Sequence, residues 1–493
     1  MRICIINTGG TIACAGQPLA PMPAGQFADA AQRVLGPSLR AAHPGLQLHF
    51  AADLRFGAAD SGTLDSTDIG PQDWCAITAA ILDRYADHDA FVVLHGTDTM
   101  DFTGAALPLL LNVSDELGLP RATLSKPVIL TGSQRPLLVQ PAGGDPVLNA
   151  GSDAFANLSA AVAAAHLALP EVTLVFGGQM LRANRAMKTS TTRFDAFGSP
   201  HLPPLARIGI AITPDAPALP GPATPALALD HPRAMARARA QLAAVAGALP
   251  AGPGLHLPAV PAAPGVLAGM IDAAVAQGIG VLMLLAYGEG NFPADGGRVA
   301  RALHDAVAAG VLVIDGTRVI RGSVEDFSYA AGAWMAGTGA VSALDMTPMA
   351  ALAKGMILRA AAAHHGWDRA CVARLVQRDL AGECRPRDRL AEGGAVMAGG
   401  RLTAAGGGAV LINDPDAGPQ LWQDGAMVWQ AGAAGRLVLR AGRVQVIGAD
   451  SGIRWQGAAG VAGDLLILDH DRGGARLALH DPAGTRAPLP LHG

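Results

Sequence analysis

From residue 1 to about 210, short uninterrupted apolar runs alternate with Ala-rich stretches of helical length. The runs Ile3–Ile6, Phe91–Leu94, Val128–Leu130 and Val172–Phe176 are rich in β-branched and aromatic residues, and several end at Gly or Thr. A strand with one face in water alternates apolar and polar positions. A continuous apolar run belongs to a strand covered on both faces. Between the runs, Trp74–Tyr85 and Ala154–Leu169 have the length and composition of helices. The pattern predicts an α/β fold with a mostly parallel sheet and helices on both of its faces.

From Ala211 to Pro253 the composition shifts to Pro and Ala, with a helix expected at Pro232–Ala246. This stretch reads as a linker or as a tethered surface helix. Strand signals return at Gly254–Leu257, Gly280–Leu285 and Gly310–Ile314, separated by helices such as Val299–Ala309, so residues 254–384 form a second, smaller α/β domain. After a connector at 385–396 the texture changes: helical runs vanish, Gly rises and short strands follow one another. Gly408–Ile412, Gly435–Leu439 and Gly463–Ile467 resemble each other at a spacing of 27 to 28 residues, and Trp-Gln recurs at 429–430 and 455–456. Residues 397–493 are therefore expected to form an added all-β module with a three-fold repeat.

Charge narrows the function. Charged residues make up only 15% of the 493, and the net charge is −4, which argues against nucleic acid or an anionic membrane as partner. The one basic cluster, Arg385, Arg387 and Arg389, is offset by Asp388 and Glu392 and reads as a solvated connector. The five cysteines contain no CxxC pair and no metal-ligand spacing, so buried thiols in a reducing compartment, with no metal and no cofactor, are expected. No apolar stretch approaches the length of a membrane span. The start, Met1–Ile6, is too short for a secretory signal and runs straight into a candidate catalytic segment, which points to the cytoplasm.

Three polar clusters follow predicted strands. Asn7-Thr8-Gly9-Gly10-Thr11 follows the first and His95-Gly96-Thr97-Asp98-Thr99 the second, while Lys188-Thr189-Ser190-Thr191-Thr192 lies a short turn beyond Val172–Phe176. Ligands of open α/β sheets bind beyond the carboxyl ends of the strands, so the clusters can share one crevice. Gly10 and Gly96 let the backbone approach a substrate where a Cβ would obstruct it. The residue types suit covalent attack on an amide. A Thr hydroxyl is weak until a base takes its proton, a desolvated Lys can be that base, and a carboxylate can orient the Lys.

Residues 1 to about 380 resemble the bacterial L-asparaginases, the cytoplasmic type I branch most closely. The resemblance is carried by Ile6–Ala13, Asp65–Ile69, Leu94–Met100, Thr131–Gln134, Phe194–Pro200 and Tyr287–Asn291, in order over about three-quarters of the chain. It implies that Thr11 is acylated by the substrate amide, that Thr97 and Lys188 form the second essential set, and that Asp98 and Ser66 hold the α-amino and α-carboxyl groups, with Thr67 beside them. It also implies L-asparagine as substrate, no cofactor, and a homodimer or homotetramer. Two alternatives stay open: a relaxed glutaminase-asparaginase, since one methylene rarely discriminates strongly, and an asparagine-binding sensor with an inactive lid. An amidotransferase subunit shares the catalytic set but needs an RNA-facing basic surface, against which the charge speaks.

The chain departs from the family in three places. The family carries a Tyr on the mobile lid after the nucleophile; here Leu19 stands about where it is expected, and Tyr85, Tyr287 and Tyr329 lie elsewhere. There is an insertion around Ser114–Ser125, and no residues matching those lent by a partner subunit are evident near Ser323–Asp326. The carboxy-terminal module weakly resembles bulb-type lectins. Arg440, Arg443 and Gln445 occupy the stretch where those lectins read sugar, which favours a structural or oligomerisation role.

Overall fold

The computed structural model of the chain describes residues 1–16, 18–57, 61–141, 144–324, 333–405, 407–457, 463–471, 474–481 and 486–489. An eight-stranded sheet organises the first half. Its order is Ile212–Pro214, Ala206–Ile208, Gln179–Arg182, Val172–Phe176, Val128–Thr131, Ala90–Leu94, Arg2–Asn7 and Gln47–Phe50. The five strands from Val172–Phe176 to Gln47–Phe50 run parallel, and the remaining three are antiparallel.

The apolar runs are the central strands. Ile3, Cys4, Ile5 and Ile6 are all fully buried. Ile3 and Ile5 pack with Val92, Ile129 and Val175 against the helices Ala24–Ala42 and Ala154–Ala165. Strand alternation turns Cys4 and Ile6 to the opposite face.

Two buried helices contain breakers that obscure them in the sequence. Ala24–Ala42 includes Gly36 and Pro37, yet Phe27, Ala31, Leu35 and Leu39 form a buried stripe at helical spacing. Met100–Leu111 includes Gly104 and Pro108 and is almost wholly buried. Packing outweighs propensity in both.

A second sheet orders Gly254–Pro258, Val281–Ala286, Leu312–Thr317 and Val341–Ser342, all parallel. Val266–Ala276 and Arg298–Ala308 cover one face, where Leu267, Ile271, Val299 and Leu303 meet Leu282 and Leu284. The helix Pro348–His365 packs so closely that a Cβ on Gly355 would lie 2.7 Å from Ile314 Cδ1. The Pro/Ala-rich stretch is docked. Its helix Pro232–Ala248 buries Ala234, Ala238, Leu242 and Val245, and the Gln241 amide donates to Leu109 O at 3.2 Å and Asn112 O at 3.1 Å.

Asp315 lies fully buried in this second sheet, and among the described residues neither carboxylate oxygen has a hydrogen-bond partner. Burial pushes its carboxyl up to about 8. Because the folded pKa is raised, the stability it confers is fully present below the ordinary Asp range and is lost as pH rises through about 8. Wild type should therefore lose up to ~1.4 kcal/mol per pH unit from this group within that window. Asp315→Asn removes the titration, so its melting temperature should fall less than that of wild type between pH 5 and pH ~8.5. Parallel profiles would show that Asp315 is already charged.

The described residues divide into two compact units. The first comprises Met1–Asp115, Pro120–Asp368 and Leu380–Glu383, and the second Glu116–Leu119, Arg369–Asp379 and Cys384–Gly493. The tip of the insertion thus groups with the carboxy-terminal unit. There Glu116 O accepts from Arg378 at 2.8 Å and Leu117 O from Arg389 at 3.1 Å. The connector is not simply solvated as its charges imply. Asp388 is buried, takes Arg378 Nε at 2.9 Å and Arg389 Nε at 2.8 Å, and Arg378 also reaches Asp469 at 2.7 Å. Burial alone would raise the Asp388 carboxyl, but the two guanidiniums hold it below the usual range.

Among its described residues, the second unit contains three four-stranded antiparallel sheets. Ala409–Asp414, Arg436–Arg440 and Leu465–Asp471, which contain most of the three mutually similar segments, each stand second in one of them. Their inward residues, among them Leu411, Leu437, Leu439, Leu466 and Leu468, join a single core. Trp429 and Trp455 of the repeated Trp-Gln pairs meet edge to face at 5.4 Å. Cys4, Cys14, Cys75, Cys371 and Cys384 are all buried, and no helix among the described residues is long and apolar enough to cross a membrane.

Candidate active site

Beyond the carboxyl ends of Arg2–Asn7 and Ala90–Leu94, hydrogen bonds bind three segments together. Thr8 N and Thr8 Oγ1 both donate to Leu94 O at 3.0 Å. Leu64 N donates to Thr8 O at 2.8 Å, and Gly10 N donates to Leu64 O at 2.9 Å, so the stretch leading to Asp65 and Ser66 runs beside the Gly pair. Gly10 has φ 74°, and a Cβ on it would lie 2.2 Å from Gly96 Cα. A Cβ on Gly96 would lie 2.5 Å from Ser66 Cβ. The two glycines are thus needed for backbone approach, and their contact places Thr11, Ser66 and Thr97 within one residue of a shared junction.

Thr11 opens a short 3-10 helix, Thr11–Ala13, and is half-buried. Among the described residues its hydroxyl has no hydrogen-bond partner. Thr97 is buried, and Lys188 Nζ donates to Thr97 Oγ1 at 2.8 Å and to Asp98 Oδ1 at 2.7 Å. The Lys188 side chain is 17% exposed and that of Asp98 55%, so the pair opens outward from a buried hydroxyl. Asp98 N donates to Ser66 Oγ at 3.4 Å, and Thr99 Oγ1 to Ser66 O at 2.6 Å. Thr67 is exposed and its hydroxyl donates to Asp65 Oδ1 at 3.0 Å, within its own turn.

Lys188 does not arrive by the short turn that the sequence implies. Gly177 and Gly178, with φ 55° and 77°, make a two-residue hairpin from Val172–Phe176 into the antiparallel strand Gln179–Arg182. The chain then returns along Met100–Leu111. A Cβ on Gly104 would lie 3.1 Å from Ala183 O, and one turn earlier Lys188 N donates to Asp101 Oδ2 at 3.0 Å. Asp101 is a positioning residue that the sequence reading passed over. Its only signal is an acid in the first turn of a helix, a common placement for reasons of charge alone. Burial raises its carboxyl, an effect that the hydrogen bonds from Lys188 N and Phe102 N only partly offset.

His95 is fully buried and structural, as its strand-end position implies. Its Nδ1 donates to Gly96 O at 2.7 Å and its Nε2 accepts from Thr103 Oγ1 at 2.8 Å, while burial lowers its pKa to about 4. Asp153 does more than start a helix. Its carboxylate accepts from Gln134 N at 3.0 Å and Arg135 N at 3.2 Å, fixing the Thr131–Gln134 motif.

The segment after Thr11 is a short hairpin, Cys14–Ala15 against Ala20–Pro21. Leu19 stands at its turn, 58% exposed, and Gln17 lies outside the described residues. Met22 N donates to Ala13 O at 2.9 Å and Thr63 Oγ1 to Met22 O at 3.2 Å, anchoring the hairpin base. Tyr85 is buried beside Ser125, and Tyr287 follows the strand Val281–Ala286 of the second sheet. Tyr329, Glu325 and Asp326 lie outside the described residues.

Comparisons with known proteins agree with this architecture. The family described as Asparaginase, N-terminal matches residues 2–218, and the Glutaminase/Asparaginase C-terminal domain matches residues 258–370. The chain is 33% identical over 329 residues to L-asparaginase 1 of Escherichia coli, covering 66% of this chain and 83% of that protein. Among solved structures, L-asparaginase I from Vibrio cholerae superposes with a TM-score of 0.55 at 28% identity, over 78% of this chain and 99% of that one. The thermostable L-asparaginase from Thermococcus kodakarensis, at 23% identity, shares the fold with a TM-score of 0.59 over 78% of this chain and 99% of its own.

Proposed function

The chain belongs to the asparaginase family, and from that premise we propose that it hydrolyses L-asparagine to L-aspartate and ammonia through an ester on Thr11. In this reading Thr11 Oγ1 attacks the side-chain amide carbon, the tetrahedral intermediate expels ammonia, and water cleaves the ester to release the carboxylate. The observation that carries it is Lys188 Nζ held between Thr97 Oγ1 and Asp98 Oδ1, beside the Gly10–Gly96 junction. Thr97 and Lys188 relay a proton during acylation or deacylation. The half-exposed Asp98 carboxylate takes the substrate's α-ammonium, and Ser66 takes the α-carboxylate with Thr67 at the rim. Gly10 and Gly96 present backbone to the substrate.

The family resemblance supports a cytoplasmic homodimer or homotetramer, with residues 1–210 and 254–384 forming the asparaginase unit and 211–253 joining them. Residues 397–493 fit a three-fold, lectin-like module with a structural or assembly role. Gln445, in the stretch where a sugar site would lie, is buried and donates to Gln456 Oε1 at 2.9 Å, which supports scaffold over lectin chemistry.

The direct test is ammonia release by the purified full chain from L-asparagine, with L-glutamine in parallel. Release from asparagine is expected, faster than from glutamine at equal subsaturating concentration. No release, with asparagine still bound, would move the reading to an asparagine sensor. Equal release from both amides would make it a glutaminase-asparaginase.

A further inference from the structure

The sequence offers no metal-ligand spacing, yet the sheet assembles a ligand set from three separate places. Cys4 on Arg2–Asn7 lies directly opposite His49 on the parallel strand Gln47–Phe50, so both side chains leave the same face. His88 comes two residues before Ala90–Leu94, on the other side of Cys4. The Cys4 sulfur and one ring nitrogen from each histidine all lie within 4.8 Å of one another. Cys4 and His88 are buried, whereas His49 is exposed and leaves an entry from solvent.

The histidine geometry favours coordination. His88 Nδ1 lies 2.9 Å from Arg84 O. A carbonyl only accepts, so that nitrogen carries the proton and Nε2 turns a lone pair toward the cluster. An N–H bound to a backbone carbonyl is the usual way a metal-ligating histidine is oriented. His49 Nδ1 stands 3.0 Å from that Nε2, and the two rings are within 7° of parallel. Tetrahedral zinc would set the nitrogens about 3.3 Å apart and each roughly 3.6 Å from the sulfur, so no pair of ligand atoms needs to close by more than about 1.2 Å. The nearby Arg84 guanidinium does not oppose a cation strongly, since Asp53 pairs with it.

We propose that Cys4, His49 and His88 bind one borderline-soft divalent transition-metal ion, Zn²⁺ foremost, with water in the fourth position. One thiolate and two imidazoles suit Zn²⁺ and disfavour Mg²⁺ and Ca²⁺, which take oxygen. Cys4 lies three residues before the end of its strand and four before Thr8, about 13 Å short of the Thr8–Thr11 segment. The ion therefore acts as a clip between strands and takes no part in amide chemistry. It ties Gln47–Phe50 and the entry to Ala90–Leu94 onto the central strand.

The test is Co²⁺ titration of the full chain after dialysis against a chelator. One equivalent should bind, with a thiolate-to-cobalt charge-transfer band and the visible bands of tetrahedral cobalt, and Zn²⁺ should displace it. Cys4→Ser should remove the charge-transfer band, although Cys14, Cys75, Cys371 and Cys384 remain. His49→Gln changes an exposed side chain and so leaves folding intact, and it should weaken Co²⁺ binding at least ~10-fold. Zn²⁺ should raise the melting temperature of wild type and not of His49→Gln. Absence of stoichiometric Co²⁺ binding would overturn the proposal and leave a plain N–H···N bond between the histidines. So would a spectrum and affinity unchanged in His49→Gln.

Discussion

Thr11→Ala should reduce ammonia release from L-asparagine by roughly 10⁴-fold or more, because removing a nucleophile removes the acylation path rather than one of its aids. Thr11 makes no side-chain hydrogen bond to another described residue and is half-buried at the start of Thr11–Ala13. Its loss therefore leaves no buried group unsatisfied, and the fold should persist. Asparagine binding, read by calorimetry or thermal shift, should survive within a few-fold. Thr11→Ser should keep measurable turnover, since it retains a hydroxyl and loses only the methyl that restricts its rotamer. Activity of Thr11→Ala within ten-fold of wild type would remove Thr11 from the chemistry and make another hydroxyl the nucleophile.

Lys188→Met should lower kcat by about 10²–10⁴-fold, the usual worth of a positioned proton-transfer group. Lys188 Nζ is the hydrogen-bond donor to Thr97 Oγ1, and it reaches Asp98 as well. Removing it leaves Thr97 Oγ1 without that donor and frees Asp98 to solvent, where a carboxylate is stable. Lys188→Arg should not restore the rate, because a guanidinium stays protonated and cannot accept a proton from Thr97. Asp98→Asn serves as the contrast: if Asp98 holds the α-ammonium, its loss should appear chiefly as a higher KM. A Lys188→Met enzyme with unchanged kcat and a raised KM would recast Lys188 as a binding group.

These two residues differ in how plainly the sequence discloses them. Thr11 follows a continuous apolar run and a Gly pair, a local arrangement visible in the nine consecutive residues Ile3–Thr11. Lys188 stands in a polar stretch with no local mark of its partners. Its approach depends on the Gly177-Gly178 hairpin, an unforeseen antiparallel strand and the return along Met100–Leu111. The helix Ala24–Ala42 was hidden for a related reason, since Gly36-Pro37 argues locally for a break and only the buried face formed by Phe27, Leu35 and Leu39 overrides it. The charges at 385–392 look solvated in one dimension, whereas Asp388 is enclosed by Arg378 and Arg389.

What the sequence by itself determined is the set of properties that live in short windows. Runs covered on both faces dictated parallel strands, Gly at the strand ends dictated tight backbone, and the ordered motifs dictated the family. What only the tertiary structure decided is which distant side chains share a space. Lys188 meets Thr97 and Asp98 because a strand reverses, and Cys4 faces His49 because two parallel strands adopt one register. Periodicity specifies the face a residue occupies, but register and crossover are set by the packing of the whole core. Contacts across strands therefore have no signature in the spacing of the residues that make them.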